Sequence, residues 1–305
     1  MKVRKIQMED IEQFEQIGLE PGSIPVLNLH QWLDTGRTIL EWCFVLEAEG
    51  KFLGSVIYGV FHEQPYDLKI WQMKLAEDIA EDLFEVGSKL LADSIEALKP
   101  KGFKTVEYHL YSTTPEIFES YQLIFKEQGF RTVQEKKSFV ANKVRYVESA
   151  KRLHYKTLQE VGEEAFVDAI EMVTEGTLDR EDLSSIKSHG SKLAATLYFK
   201  LLKEIDFNET WWRIAYDEKG EFVGLVVSQK FSEDEGAINY IGVTPAQRGK
   251  GYVKDLLWEG SRIMIEDGIK NLIADIDVQN HPLEKALELL GYKDDCSEVV
   301  LTLNL

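Results

Sequence analysis

Arg248, Gly249, Lys250 and Gly251 put two cations and two glycines into four consecutive residues, between the strand-like "AINYIGV" and the helix-spaced "VKDLLWEGSRIMIEDG". Glycine lets a backbone approach a ligand closely. A helix start adds orphan amides and the positive end of its dipole, so a loop of this kind holds an anion. Two phosphate patterns fail. A P-loop needs Ser or Thr after its lysine, and Lys250 is followed by Gly251; a dinucleotide fingerprint needs a small residue where Lys254 stands. What remains is a loop whose amides from Arg248 to Val253 converge on a pyrophosphate-sized anion, with Arg248 and Lys250 as supplements. Taken without companion residues, the same stretch also reads as a solvated helix start.

The chain must supply the elements that hold this loop, and it has 305 residues, enough for two domains of roughly 150. With 44% apolar and 29% charged residues it reads as a globular protein with two cores. The net charge of −18 argues against sequence-independent nucleic-acid binding, which needs basic surface. Cys43 and Cys296 are too few and too far apart for a disulfide framework or zinc cluster, and read as buried thiols of a reducing cytoplasm. The six histidines show no metal spacing, and no apolar run approaches the length that would span a bilayer, so neither metal nor membrane is expected.

An internal repeat organises the rest. "GKFLGSVIYGVF" from Gly50 resembles "GEFVGLVVSQKF" from Gly220, an offset of 170. Gly102 answers Gly268 at an offset of 166, and Gly129 answers Gly291 at 162. Three anchors in one order imply two copies of one fold, divided near Asn142 to Ala150 into 1–145 and 146–305. The second copy reads as strand ("RLHYKTLQE"), two helices, a hairpin turning at Asp217 to Gly220, strand, helix, strand, helix, strand. Trp211 and Trp212 fall on adjacent strand positions, which places one of them in the core. The glycine loop occurs once: the matching place in the first copy is "EDLFE", residues 81–85, where carboxylates repel phosphate.

"IGVTPAQRGKGYV" resembles the acetyl-coenzyme A loop of the GNAT superfamily of N-acetyltransferases, Arg/Gln-x-x-Gly-x-Gly/Ala after a strand ending Val-x-Pro. Arg248, Gly251 and Val253 take the three positions, Val253 standing where a small residue is expected. "NHPLEKALELLGY" is similar to a second signature of the family, with Asn280, Gly291 and Tyr292 at its spacing. The resemblance implies two tandem GNAT-like domains of α/β (α+β) class, each a mixed, mostly antiparallel sheet flanked by helices, the first a degenerate copy. It also implies an acetyl-CoA cosubstrate: Ile241 and Val243 bind the pantetheine arm, Arg248, Gly249, Lys250, Gly251, Tyr252 and Val253 hold the pyrophosphate, and Asn280 contacts the cofactor.

The acceptor implied is a small amine or aminoacyl compound, and the chain would act as a monomer or homodimer. Asp179 and Arg180 lie where the family's first helices cover the acceptor, although Asp179 also suits a helix cap. The family's acid is a tyrosine, and Leu287 occupies its position. Asn239 or Tyr240 would order a water in a relay, and Asp277, sharing a strand face with Asp275, is the best-placed carboxylate. The alternative is a non-catalytic acyl-CoA-binding or partner-binding module that kept the loop and lost the acid.

Overall fold

Glu49 and Gly50 both take positive φ, 52° and 79°, the two-residue turn that matches the twist of the strands it joins. The computed structural model describes residues 1–18, 29–79, 82–113, 115–145, 148–205 and 207–305. In the first half these form β1 (Lys2–Lys5), α1 (Ile11–Glu15), α2 (Leu29–Asp34), β2 (Cys43–Ala48), β3 (Lys51–Gly59), β4 (Asp67–Leu75), α3 (Leu83–Leu98), β5 (Thr105–Tyr111), α4 (Pro115–Glu127) and β6 (Arg131–Ala141). The second half continues with β7 (His154–Thr157), α5 (Leu158–Val161), α6 (Glu163–Thr174), α7 (Arg180–His189), α8 (Ser191–Lys203), β8 (Arg213–Tyr216), β9 (Phe222–Lys230) and β10 (Glu235–Val243). It closes with α9 (Tyr252–Glu266), β11 (Asn271–Asp277), α10 (His281–Leu290) and β12 (Lys293–Asn304).

Two compact units result, Met1–Val133 with Glu298–Leu305, and Gln134–Ser297. They differ from a linear division at 145/146 because the closing strands are exchanged. The first unit runs β1-β2-β3-β4-β5-β12, and residues Glu298–Asn304 close it against β5. The second runs β6-β11-β10-β9-β8-β7, and β6 closes it through Leu272↔Ala141 to Asp277↔Lys136. "EKKSFVAN", which by order ends the first copy, therefore completes the second. Nothing in local periodicity distinguishes these partners, since both are half-buried strands of similar pattern.

Within the first unit, α3 lays Val86, Leu90, Leu91 and Ile95 on the sheet, and Val299 and Leu301 of the closing strand join the same core. On that unit's sheet Lys69, Glu107, His109 and Glu298 form a chain of ion pairs. Burial acts to lower the His109 pKa, but hydrogen bonds to Glu107 and Glu298 outweigh it and raise the imidazole to about 9.

The second unit follows the sequence closely at its site. Asp217 Oδ1 accepts from the amides of Lys219 and Glu221 and turns the β8–β9 hairpin. Two local readings change. "RLHYKTLQE" is strand only to Thr157, where a Thr157–Glu160 capping box starts α5. Trp211 and Trp212 precede β8, and both are buried. Out of the strand they escape its alternation, so Trp212 packs on Phe166, Phe199 and Phe207, while the Trp211 indole donates to Asp267.

Candidate functional site

The β10–β11 pair is parallel for only three positions, Glu235↔Asn271 to Ala237↔Ile273. The β9–β10 register slips between Ile238 and Tyr240, so Asn239 is a bulge that bends β10 away. Beyond it a cavity of about 90 Å³ opens, walled by Ile238 to Gly242 on one side and Ala274 to Asp277 on the other. Thr177, Asp179, Asp182, Asn280 and Leu287 also line it. The amide of Thr244 donates to Val223 of β9 at 3.0 Å. Strand alternation then turns the amides of Tyr240 and Gly242 the same way, and those of Ile241 and Val243 toward the opened edge. The sheet thus leaves two backbone donors on its opened edge, of which Ile241 lines the cavity.

The glycine loop sits at the end of β10. Gly249 and Gly251 both take φ of +78°, and a Cβ on Gly249 would meet nothing within 4 Å. No side chain caps α9, whose first amides lack acceptors by helix geometry. The loop therefore offers open space and amides from Gly249 to Val253, which fits a pyrophosphate. The amide of Arg248 is spent on Thr244 O at 3.1 Å.

The side chain of Arg248 is not aimed at that anion. Its guanidinium donates to Val243 O at 3.0 Å and to the carbonyls of Val173, Glu175 and Gly176 at 3.0, 2.6 and 3.0 Å. It thereby satisfies the last turn of α6 and pins it to the end of β10. Lys250 Nζ donates to Gln247 Oε1. A second arginine, Arg152, holds the loop from behind: it pairs with the fully buried Asp255 at 2.6 Å, donates to Lys250 O at 3.0 Å and lies over the Tyr252 ring at 4.3 Å.

Acidic groups crowd the acceptor side. Asp179 caps α7, its Oδ1 accepting from the amides of Glu181 and Asp182 at 2.9 and 3.1 Å, as a helix cap should. Its Oδ2 accepts from Gln134 Nε2 at 3.0 Å, and the same nitrogen lies 3.3 Å from Asp277 Oδ2. Asp277 is 1% exposed, accepts the amide of Gln279 on Oδ1 and faces Arg180 Nε at 3.6 Å. Gln134, supplied by the exchanged strand β6, thus ties the start of α7 to the end of β11.

Asp182 lies half-buried in the first turn of α7. Thr177 Oγ1 and the Tyr240 hydroxyl each donate to its Oδ2 at 3.3 Å. Burial, with Asp179 and Glu181 adding like charge, pushes its carboxyl up to about 7. Burial and the same carboxylates hold the Tyr240 and Tyr198 hydroxyls protonated, well above the ordinary tyrosine range, and the two rings meet edge to face at 4.9 Å.

The structure brings Asn239, Tyr240, Ile241, Asp179, Asp277 and Asn280 to the one cavity. Asn239 reaches back to the buried Gln229, and Asn280 gives its side-chain oxygen to cap α10 at the amide of Leu283. Leu287 is fully buried at the position where a tyrosine was expected. Of the matching stretch in the first unit, residue 81 lies outside the described residues, and Glu85 occupies the first turn of α3. Three residues were not read from sequence. Asp182 was legible only as the second acidic residue, three after Asp179, in a helix start; Gln134 and Arg152 carry no local signal. A larger depression of about 730 Å³, lined by Phe207, Trp211, Lys230 and Asp267 among others, shares no residue with the opened strands or the loop. Among the described residues no group of three or more His, Cys, Asp or Glu could hold a metal, and no helix is long and apolar enough to cross a membrane.

Residues 178–292, within the second unit, match the family model described as Acetyltransferase (GNAT) family. The chain as a whole has the fold of tandem GNAT proteins. It resembles a GCN5-related N-acetyltransferase from Sphaerobacter thermophilus with a TM-score of 0.66 at 16% identity, over 99% of this chain and 95% of that one. It also resembles a tandem GNAT protein from the clavulanic acid biosynthesis pathway, solved without AcCoA, with a TM-score of 0.61 at 12% identity, over 99% and 98%. A GNAT-family acetyltransferase from Colwellia psychrerythraea gives 0.54 at 13% identity over 100% of both chains. None of the curated proteins matches the sequence. Family and fold together support acyl transfer in general.

Proposed function

We propose that the protein is an N-acetyltransferase that moves an acetyl group from acetyl-coenzyme A to a small molecule carrying a protonated amine, using the second unit. The observation that carries this reading is that Asp179, Asp182 and Asp277 line the same cavity as the opened stretch of β10. Acetyl-CoA supplies the thioester carbonyl carbon. The loop amides from Gly249 to Val253 hold its pyrophosphate, and the amides of Ile241 and Val243 bind the pantetheine arm and polarise the carbonyl. The carboxylates draw a cationic acceptor into the cleft and orient it. The net charge of −18 favours such a ligand over an acidic one or a nucleic acid, and two free cysteines suit a cytoplasmic setting.

A thiol-release assay with acetyl-CoA over a panel of small amines tests the reading. Turnover of primary amines, with binding of coenzyme A lost in Gly251→Val, supports it. Tight binding of coenzyme A with no amine turned over would replace it with the acyl-CoA-binding module that Leu287 also allows. Competition by ATP as effective as that of coenzyme A would point to a different nucleotide ligand.

A further inference from the structure

Asp179, Asp182, Asp275 and Asp277 line the cleft, and the hydrogen bonds of Asp179, Asp277 and Asp182 separate the roles of these three. Both oxygens of Asp179 are taken, by two helix amides and by Gln134. Both oxygens of Asp277 are taken as well, by the amide of Gln279 and by Gln134 with Arg180. Asp182 differs. Its Oδ2 accepts from Thr177 and Tyr240, and its Oδ1 has no hydrogen-bond partner among the described residues. The side chain is fixed by one oxygen and offers the other to the cavity it lines.

We infer that Asp182 is the general base of the second unit, taking the proton from the acceptor's ammonium group through Oδ1 while Thr177 and Tyr240 hold the carboxylate in place. This rests on the acetyl-transfer reading above. The ammonium proton passes to Oδ1, and the freed nitrogen forms the C–N bond to the thioester carbonyl carbon. The C–S bond breaks, the second amine proton ends on the departing sulfur as free thiol, and Asp182 returns its proton to water. Asp179, Glu181 and Asp277 surround the position with negative charge, Arg180 is paired to Asp277, and the Tyr240 and Tyr198 hydroxyls stay protonated. Burial, with Asp179 and Glu181 adding like charge, keeps the carboxyl close to neutral pH in its affinity for a proton, where a base works best.

The experiment is the pH profile of kcat/KM for the best amine with wild type, Asp182→Asn and Asp182→Glu. The expected result is an acid limb near pH 7 in wild type, absent in Asp182→Asn, with a loss of roughly 100-fold at pH 7.5. KM for acetyl-CoA stays within about 2-fold, and Asp182→Glu recovers part of the rate with a displaced limb. An acid limb left in place in Asp182→Asn overturns the assignment, whatever the size of the loss. If wild type turns over no amine, the acetyl-transfer reading falls and this one with it; if wild type is active and only the limb fails to move, this one falls alone. Should Asp182→Asn not fold, a 13C carboxylate titration of wild type decides: a resonance with a midpoint near 7 supports the base, and none above about 5.5 overturns it.

Discussion

Replacing Asp182 with Asn should stabilise the protein at high pH while it removes activity. The carboxyl is raised from its ordinary 3.8 to about 7, burial being the main cause, with Asp179 and Glu181 next. Between these two values the folded protein holds a proton that the unfolded chain has released, so stability falls as pH rises and the penalty is complete above pH 7. At full burial that amounts to about 4 kcal/mol. One oxygen faces the cleft, where water screens the charge, and we take about half, or ~2 kcal/mol. For a unit of this size ~2 kcal/mol corresponds to a Tm gain of about 4–8 °C. Asn keeps the acceptor for Thr177 and Tyr240 and carries no charge, so the gain should be seen at pH 8 and vanish by about pH 4. Thermal unfolding of both proteins across that range measures it. A Tm difference that does not change with pH, or a less stable variant at pH 8, would refute the reasoning.

Other perturbations test other parts of the molecule. Arg248→Met removes four hydrogen bonds to backbone carbonyls, and should cost about 2–3 kcal/mol in the second unit and raise KM for acetyl-CoA by loosening β10; an unchanged Tm would contradict the strut. Gln134→Leu should lower kcat about 10-fold or more by unpairing Asp179 and Asp277, with coenzyme A affinity by calorimetry unchanged. Deleting residues 298–305 removes Val299 and Leu301 from the first core and should expose that unit to limited proteolysis, although the deleted stretch belongs by order to the second copy. His109 is raised to about 9, so the stability it contributes is whole below about pH 6.5 and is lost as pH rises through 9. His109→Gln should flatten that decline, which we put at roughly 1 kcal/mol after screening at this half-exposed site, as read by urea unfolding at pH 7 and 9.5.

The glycine loop and the order of elements around it were legible because both are local. Gly249 and Gly251 take left-handed φ by residue type, α9 declares itself by apolar spacing, and Asn280 caps α10 within three residues of itself. Charge, length and the repeated glycines likewise follow from composition and order alone. The closing strands were not legible, since β6 and β12 have similar patterns and only packing against β11 and β5 decides which core each completes. The partners of the charged residues were decided there too. Arg248 reads as an anion ligand until α6 is seen to end beside it with unsatisfied carbonyls. Asp277 reads as a carboxylate open to the cleft until Gln134 and Arg180 are found holding it. Asp182 reads as one more acidic residue of a helix start until burial beside Tyr240 raises its carboxyl to about 7. A residue's type sets which bonds it can make, and only the fold sets which partners reach it and how much water remains.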